Sequence, residues 1–453
     1  MILSTHRRPG NVVKTIYDPC PIGFKMPNGN TFIDFSTSNV VGSFANGWKF
    51  KRYSGDTVGV FFPVSGFRSY SGGSLYLVGS SGSVWLSSAY SQINAYLLLF
   101  DSSNVYPQDN NPRASGFSVR PVQDTGIEGL NKRTKIRIDQ TITDPEAMIT
   151  RIVDLGGIEA IRANSHRYTG KFANNVMTLK QLDDNNSMVY ADGTMADLTT
   201  IDTDVWMKLP QFHWKCTEYA TDVWDFEVVY GAKPDATYKT WDGNDLIGVY
   251  EAYYSSNKIH SVSGVSSIGS VNQAGLKTCA QARGEGFSLV KWKHHCMMAM
   301  LYYTMYGNTD CQKKIGNGPS GIEAYTGATD TLGMTDTGYD NGTAHSINFW
   351  GLENWWGNKY EWLDNVTVDE MIWKVTEDDG TVRQAGTGGS SGGYITKLLL
   401  GENIDLIPTA VGSSSTGGFC DYYHKSSGNS YAVLRSSYSN GPTCGVAYVR
   451  ATY

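Results

Sequence analysis

The chain is poor in charge: 18% of its 453 residues are Asp, Glu, Lys or Arg, and the net charge is −6. Its lysines and arginines are scattered rather than gathered into runs. The electrostatic footprint of a nucleic-acid binder is therefore missing, which excludes DNA and RNA as partners. Long apolar runs are missing as well. AYLLLF and CMMAMLYY fall far short of the roughly 20 residues needed to cross a bilayer, so no membrane insertion is expected. The opening MILSTHRRPG lacks the apolar stretch of a secretory signal, as expected of a chain not exported by that route, a phage structural protein included.

Paired cysteines are also absent. Cys20, Cys216, Cys279, Cys296, Cys311, Cys420 and Cys444 are widely spaced, with no CxxC, and their odd number argues against a disulfide framework. Small buried thiols in a reducing compartment are expected instead. His294, His295 and Cys296 in KWKHHC are the one cluster of metal-ligating types, but no second cluster lies at a suitable spacing. A helix burying one face of these residues is the simpler reading. Asp183–Gly193 and Thr335–Thr343 are rich in oxygen ligands without the EF-hand spacing and read as turns. No metal and no cofactor are expected.

What the chain does have is glycine and tyrosine, 50 and 28 residues respectively, the composition of a loop-rich β protein with a neutral aromatic surface. Its length suits about three domains of roughly 150 residues. Residues 1–123 carry short β-like runs such as TVGVFFPVSGFRSY, punctuated by Gly, Ser and Asn. Residues 124–235 form a middle region. There Asp144-Pro145-Glu146 reads as the start of a helix over 144–155, and VWMKLPQFHWKC and DVWDFEVVYG read as strands. Residues 236–453 hold an apolar helix over Trp292–Tyr306, then return to Gly- and Ser-rich β texture.

Gly79–Val122 and Phe419–Tyr453 share one composition, with Tyr, Ser, Asn and Gly at short intervals. Tyrosine offers a large amphipathic contact area at the cost of two ordered torsions, and Ser, Gly and Asn supply adaptable hydrogen bonds, as in antibody paratopes. The alternative needs no ligand: Ser and Asn sit in turns and Tyr pairs across strands. Recurrence in two separate segments favours a recognition surface.

The motif GNKYEW, Gly357–Trp362, resembles the GNVWEW element of formylglycine-generating-enzyme-like members of the C-type lectin fold. With ARGEGFSLVKWKHHCMMAMLYY upstream, GGYITKLLLGENIDLIPTAVGSSSTGGFCDYY, and VLRSSYSNG in the place of an RGGSW-type turn, residues 240–453 resemble the variable proteins of diversity-generating retroelements. TIYDPCPIGFKMP, FPVSGFRSYSGGSLYLVGSSGSVW and ASGFSVRPV resemble the Fibrobacter-succinogenes-type paralogous domain, itself considered lectin-like. Two departures stand out: the chain stops at VAYVRATY where the variable proteins continue into a GSRLAFRG-type strand, and about 330 residues follow GFSVRPV.

These resemblances imply an α+β fold, with two C-type-lectin-like domains rich in short antiparallel strands, 1–123 and 236–453, flanking a smaller β-rich middle adaptor. They imply a hypervariable receptor-binding protein without catalytic activity: a phage tail-fibre tropism determinant on the virion that binds a host cell-surface protein or glycan. By analogy it would be a homotrimer. A bacterial surface or pilus-tip adhesin is the alternative. A formylglycine-type oxidase is disfavoured because Cys420 and Cys444 lack the close spacing of that family's copper-binding pair.

The ligand-binding residues implied in the first domain are Ser83, Leu86, Tyr90, Ile93, Asn94, Leu97, Leu99, Asn104, Tyr106 and Asp109. In the second they are Tyr422, Tyr423, His424, Tyr431, Ser437, Tyr438, Asn440, Thr443, Tyr448 and Arg450. Trp85, Phe117, Val119, Pro121, Glu361 and Trp362 are assigned to the scaffold. The alternation of NAYLLLF predicts one exposed apolar strand face.

Overall fold

The computed structural model describes residues 18–20, 24–51, 56–123, 132–321, 323–338, 345–425, 431–437 and 443–451. The chain divides into two compact units, Met1–Leu130 and Asn131–Tyr453. The expected α+β class does not hold. With 39% of residues in strands and 10% in helices, arranged as many small antiparallel sheets and a half-barrel, the fold is β-rich. The reason is local. Outside the apolar helix Trp292–Tyr306, the Gly-, Ser- and Asn-rich segments lose too much backbone entropy in a helix and instead punctuate short hairpins.

The helix expected over 144–155 is likewise replaced. Pro145 sits in a turn closed by Asp144, whose Oδ1 accepts from Glu146 N–H at 3.0 Å. The β-branched run that follows forms the strand Ile149–Asp154 against Lys132–Asp139. A short helix comes only at Gly157–Ala163.

The first unit is built on the sheet β1 (Gly82–Ala89), β2 (Asn94–Phe100) and β3 (Val105–Pro112), in that order. Its core gathers Phe32, Trp48, Phe50, Phe62, Val84, Leu86, Leu98 and Phe100. Phe50 and Phe62 meet edge to face at 5.5 Å, and Phe50 meets Phe100 at 5.6 Å. Of the assigned scaffold, Trp85 and Phe117 pack edge to face at 4.7 Å; Val119 is half-buried and Pro121 exposed.

The second unit holds a five-stranded sheet (Lys132–Asp139, Ile149–Asp154, Phe212–Ala220, Val223–Tyr230, Lys239–Trp241) and a four-stranded one built around His166–Ala173 and Thr203–Lys208. Its largest sheet has eight strands: β4 (Glu361–Asp369), β5 (Ile372–Thr376), β6 (Val382–Thr387), β7 (Gly393–Leu399), β8 (Ile407–Gly412), β9 (Tyr422–Lys425), β10 (Tyr431–Arg435) and β11 (Val449–Ala451). Their spatial order is β6-β5-β4-β10-β11-β9-β7-β8, antiparallel except for the β9–β11 pair.

One hydrophobic cluster runs through this unit, from Ile136, Phe212 and Phe226 through Trp292 and Met298 to Trp350, Tyr423 and Val449. The stretch expected as a middle adaptor thus shares its core with the stretch expected as a lectin-like domain. Polar ties reinforce the union: the Gln140 side chain donates to Leu398 O at 3.0 Å and accepts from Leu398 N–H at 2.6 Å.

Candidate ligand-binding site

Four side chains meet on one face of the eight-stranded sheet because register puts them there. Tyr394 on β7 lies opposite Tyr422 on β9, with their rings edge to face at 5.1 Å. His424 follows two residues on, on the same face, its ring 4.5 Å from that of Tyr422. It is in register with Arg450 on β11. Arg450 lies over the Tyr360 ring at 5.1 Å and donates to Tyr360 Oη at 3.1 Å. Burial and the adjacent Arg450 charge hold His424 below the usual histidine range, so at neutral pH the imidazole is uncharged.

Tyr422, His424 and Arg450 are half-buried, as a contact surface on a rigid sheet requires. Thr443 is also half-buried. Tyr423, Ser437 and Tyr448 are fully buried, so these three expected contacts belong to the core. Tyr431 lies in β10, while Tyr438 and Asn440 fall outside the described residues.

In the first unit, Ile93 is 74% and Tyr106 50% exposed; Tyr90 and Asn104 are exposed as well. Asn94, Leu99 and Asp109 are half-buried. The Tyr90 and Tyr96 rings meet at 5.2 Å, and Asn94 Nδ2 donates to Asn110 Oδ1 at 2.9 Å. Ser83, Leu86 and Leu97 are buried, which removes them as surface contacts. The exposed apolar face predicted for NAYLLLF is not found. Leu97 and Leu98 point to opposite faces and both are fully buried, so the sheet is covered on both sides there.

Tyr360 and Tyr394 escaped the sequence reading. Tyr360 lies inside GNKYEW, of which only Glu361 and Trp362 were assigned, both to the scaffold, and Tyr394 joins the row only through cross-strand pairing. The scaffold assignment itself has a geometric counterpart. Glu361 sits opposite Arg435 across β4 and β10 and takes both its oxygens to Arg435 Nη2, at 2.8 and 2.7 Å. The same guanidinium lies 3.5 Å from the Trp355 ring centre, and Trp362 Nε1 donates to Val271 O at 2.9 Å.

Beside Tyr360 opens a cavity of about 160 Å³, walled by Trp206, Phe287, Trp355 and Trp362 together with Glu251, Glu361 and Arg435. Burial, and next the nearby Glu361 charge, raise the Glu251 carboxyl well above its usual range. Elsewhere, among the described residues, no group of three or more His, Cys, Asp or Glu converges as a metal site. His294 Nε2 faces Asp245 at 3.1 Å, whereas His295 stacks on Trp292 at 5.3 Å.

Next to Tyr422 in sequence, Asp421 is buried, accepting from Gln312 Nε2 and Ala447 N–H, both at 2.8 Å. Burial pushes its carboxyl up to about 8. A carboxyl raised on folding stabilises the protein fully below its unfolded pKa of about 4 and loses that contribution as pH climbs to about 8. Buried His295, held down to about 3, acts in the opposite direction only below about 6.5. Between pH 6.5 and 8 Asp421 therefore costs about 2 kcal/mol, which is several degrees of melting temperature. Thermal scans should show that fall, to which buried Glu251, also pushed up to about 8, adds in the same direction, and Asp421→Asn should make it about half as steep; an unchanged slope would refute the assignment.

No protein-family model matches the chain, and no curated protein matches it. No helix among the described residues is long and apolar enough to cross a membrane.

Proposed function

We propose that the protein is a non-enzymatic receptor-binding protein, a lectin-type scaffold displaying interchangeable side chains, as in the variable proteins of diversity-generating retroelements and phage tail tropism determinants. The observation that carries this reading is the row Tyr394, Tyr422, His424 and Arg450, extended by Tyr360, on one face of a sheet whose other face is core. Aromatic and arginine side chains dominate binding hot spots, and here rigid neighbours hold them ready. Burial raises the thiols of Cys420 and Cys444, so neither is poised as the thiolate that copper chemistry needs. The proposed setting is the virion, with a host surface protein or glycan as the receptor.

The test is to recover the gene from sibling isolates and measure each allele's binding to intact cells of its own host and of the others. Substitutions are expected at 422, 424 and 450 and at 90, 93 and 106, with Leu86, Leu97, Tyr423 and Tyr448 retained. Each allele should bind its own host at least about tenfold better, the size of one hot-spot contact. Substitutions spread evenly over buried and exposed positions, or alleles that bind alike, would end the proposal.

A further inference from the structure

The cavity beside Tyr360 has a charge left over. Each cation on its wall has its own carboxylate. Arg435 is paired with Glu361 at 2.7 Å and Lys359 with Glu323 at 2.9 Å; Arg283 is paired with fully buried Asp204. Glu353, also on the wall, accepts from Gly327 N–H, Thr329 N–H and Thr329 Oγ1 and feels the Arg167 charge. Glu251 differs. It is 8% exposed and accepts from two neutral donors, Asn358 Nδ2 at 2.6 Å and Lys359 N–H at 3.1 Å.

A carboxylate buried without a counter-charge is costly, and the cost disappears when a cation or a proton joins it. The walls indicate which kind of cation. Trp206, Trp362 and Phe287 surround the space with aromatic surface, and the site already holds Arg435 against Trp355 and Arg283 at 4.7 Å from Phe287. Aromatic faces attract weakly hydrated organic cations. A volume of 160 Å³ equals that of about five water molecules, enough for one small head group.

We propose that this cavity is a binding site for a small monovalent organic cation of the alkylammonium class, with Glu251 as its counter-ion and Trp206 and Trp362 as its aromatic walls. The site is independent of the display row: it needs neither Tyr422 nor His424, and it stands whether or not sibling alleles vary.

Calorimetric titration of the full chain with choline tests it, beside 3,3-dimethyl-1-butanol, a neutral molecule of nearly the same shape. At pH 8.5 choline is expected to bind at least about tenfold more tightly than the neutral analogue. Because the proton competes with the cation for Glu251, choline affinity should fall by up to about tenfold per pH unit on going down to pH 6.5, with uptake of choline releasing a proton there. Glu251→Gln should remove both the preference and the pH dependence without lowering the melting temperature, since it deletes an uncompensated buried charge. Equal binding of the two molecules, no binding at pH 8.5, or full choline affinity in Glu251→Gln would overturn the proposal. Should that variant fail to fold, the neutral analogue and the pH series still decide.

Discussion

Replacing Arg167 with methionine is expected to remove a large share of the second unit's stability. Arg167 is 1% exposed, and its guanidinium is a junction between distant parts of the chain. Nε donates to Gly351 O at 2.8 Å, Nη1 to Ser187 Oγ at 3.0 Å, and Nη2 to Asn348 Oδ1 at 2.9 Å. Asn348 is held in turn by the carbonyls of Gly333 and Thr335, and Asp330 and Glu353 supply the opposing field. Methionine would leave these acceptors and carboxylates buried without their cation.

Breaking such an arrangement costs about 3–5 kcal/mol, out of a total that is commonly about 5–15. Urea unfolding followed by tryptophan fluorescence should show the second unit's midpoint collapsing while the first unit's is unchanged. Lysine should rescue little, because a point charge cannot serve three divergent acceptors. A variant as stable as the parent would mean that the apolar replacement repacks the junction and that the network contributes no net stability.

The sequence made some of this readable. Trp292–Tyr306 is apolar on nearly all sides, as expected of a helix buried in a core; twelve of its residues are buried. VWMKLP and DVWDFEVVYG carry β-branched and aromatic residues at strand spacing, and they form Thr203–Lys208 and Val223–Tyr230. Arg167 was silent because nothing in HRYTGKF announces partners at 348 and 351. Tyr422 and Tyr423 show the same limit inside the candidate site. Composition counts both as contacts, but a strand sends neighbours to opposite faces, and which face meets solvent is settled by pairing with β7 and β11. The α+β expectation came from a resemblance rather than from segment-by-segment propensity, and the propensity of the Gly- and Ser-rich stretches prevailed.

The shared core makes a second strong prediction. A chain limited to 236–453 is expected not to fold, whereas one beginning at Asn131 should fold as the whole unit does. The shorter chain would keep Trp292, Met298, Trp350 and Tyr423 but lose Ile136, Ile138, Phe212, Phe226 and Val228, which belong to the same cluster. It would also lose Gln140 from the backbone of Leu398, Ser165 from the indole N–H of Trp350, and Arg162 from Asp336. Stripping four of the five strands of that sheet from a core exposes far more than the few hundred Å² of contiguous apolar surface that soluble proteins carry, so aggregation is the expected outcome. Sedimentation velocity and near-ultraviolet circular dichroism of the two chains distinguish the cases. A monomeric 236–453 with sharp aromatic dichroism would show that this part is autonomous and that the rest of the five-stranded sheet merely rests on it.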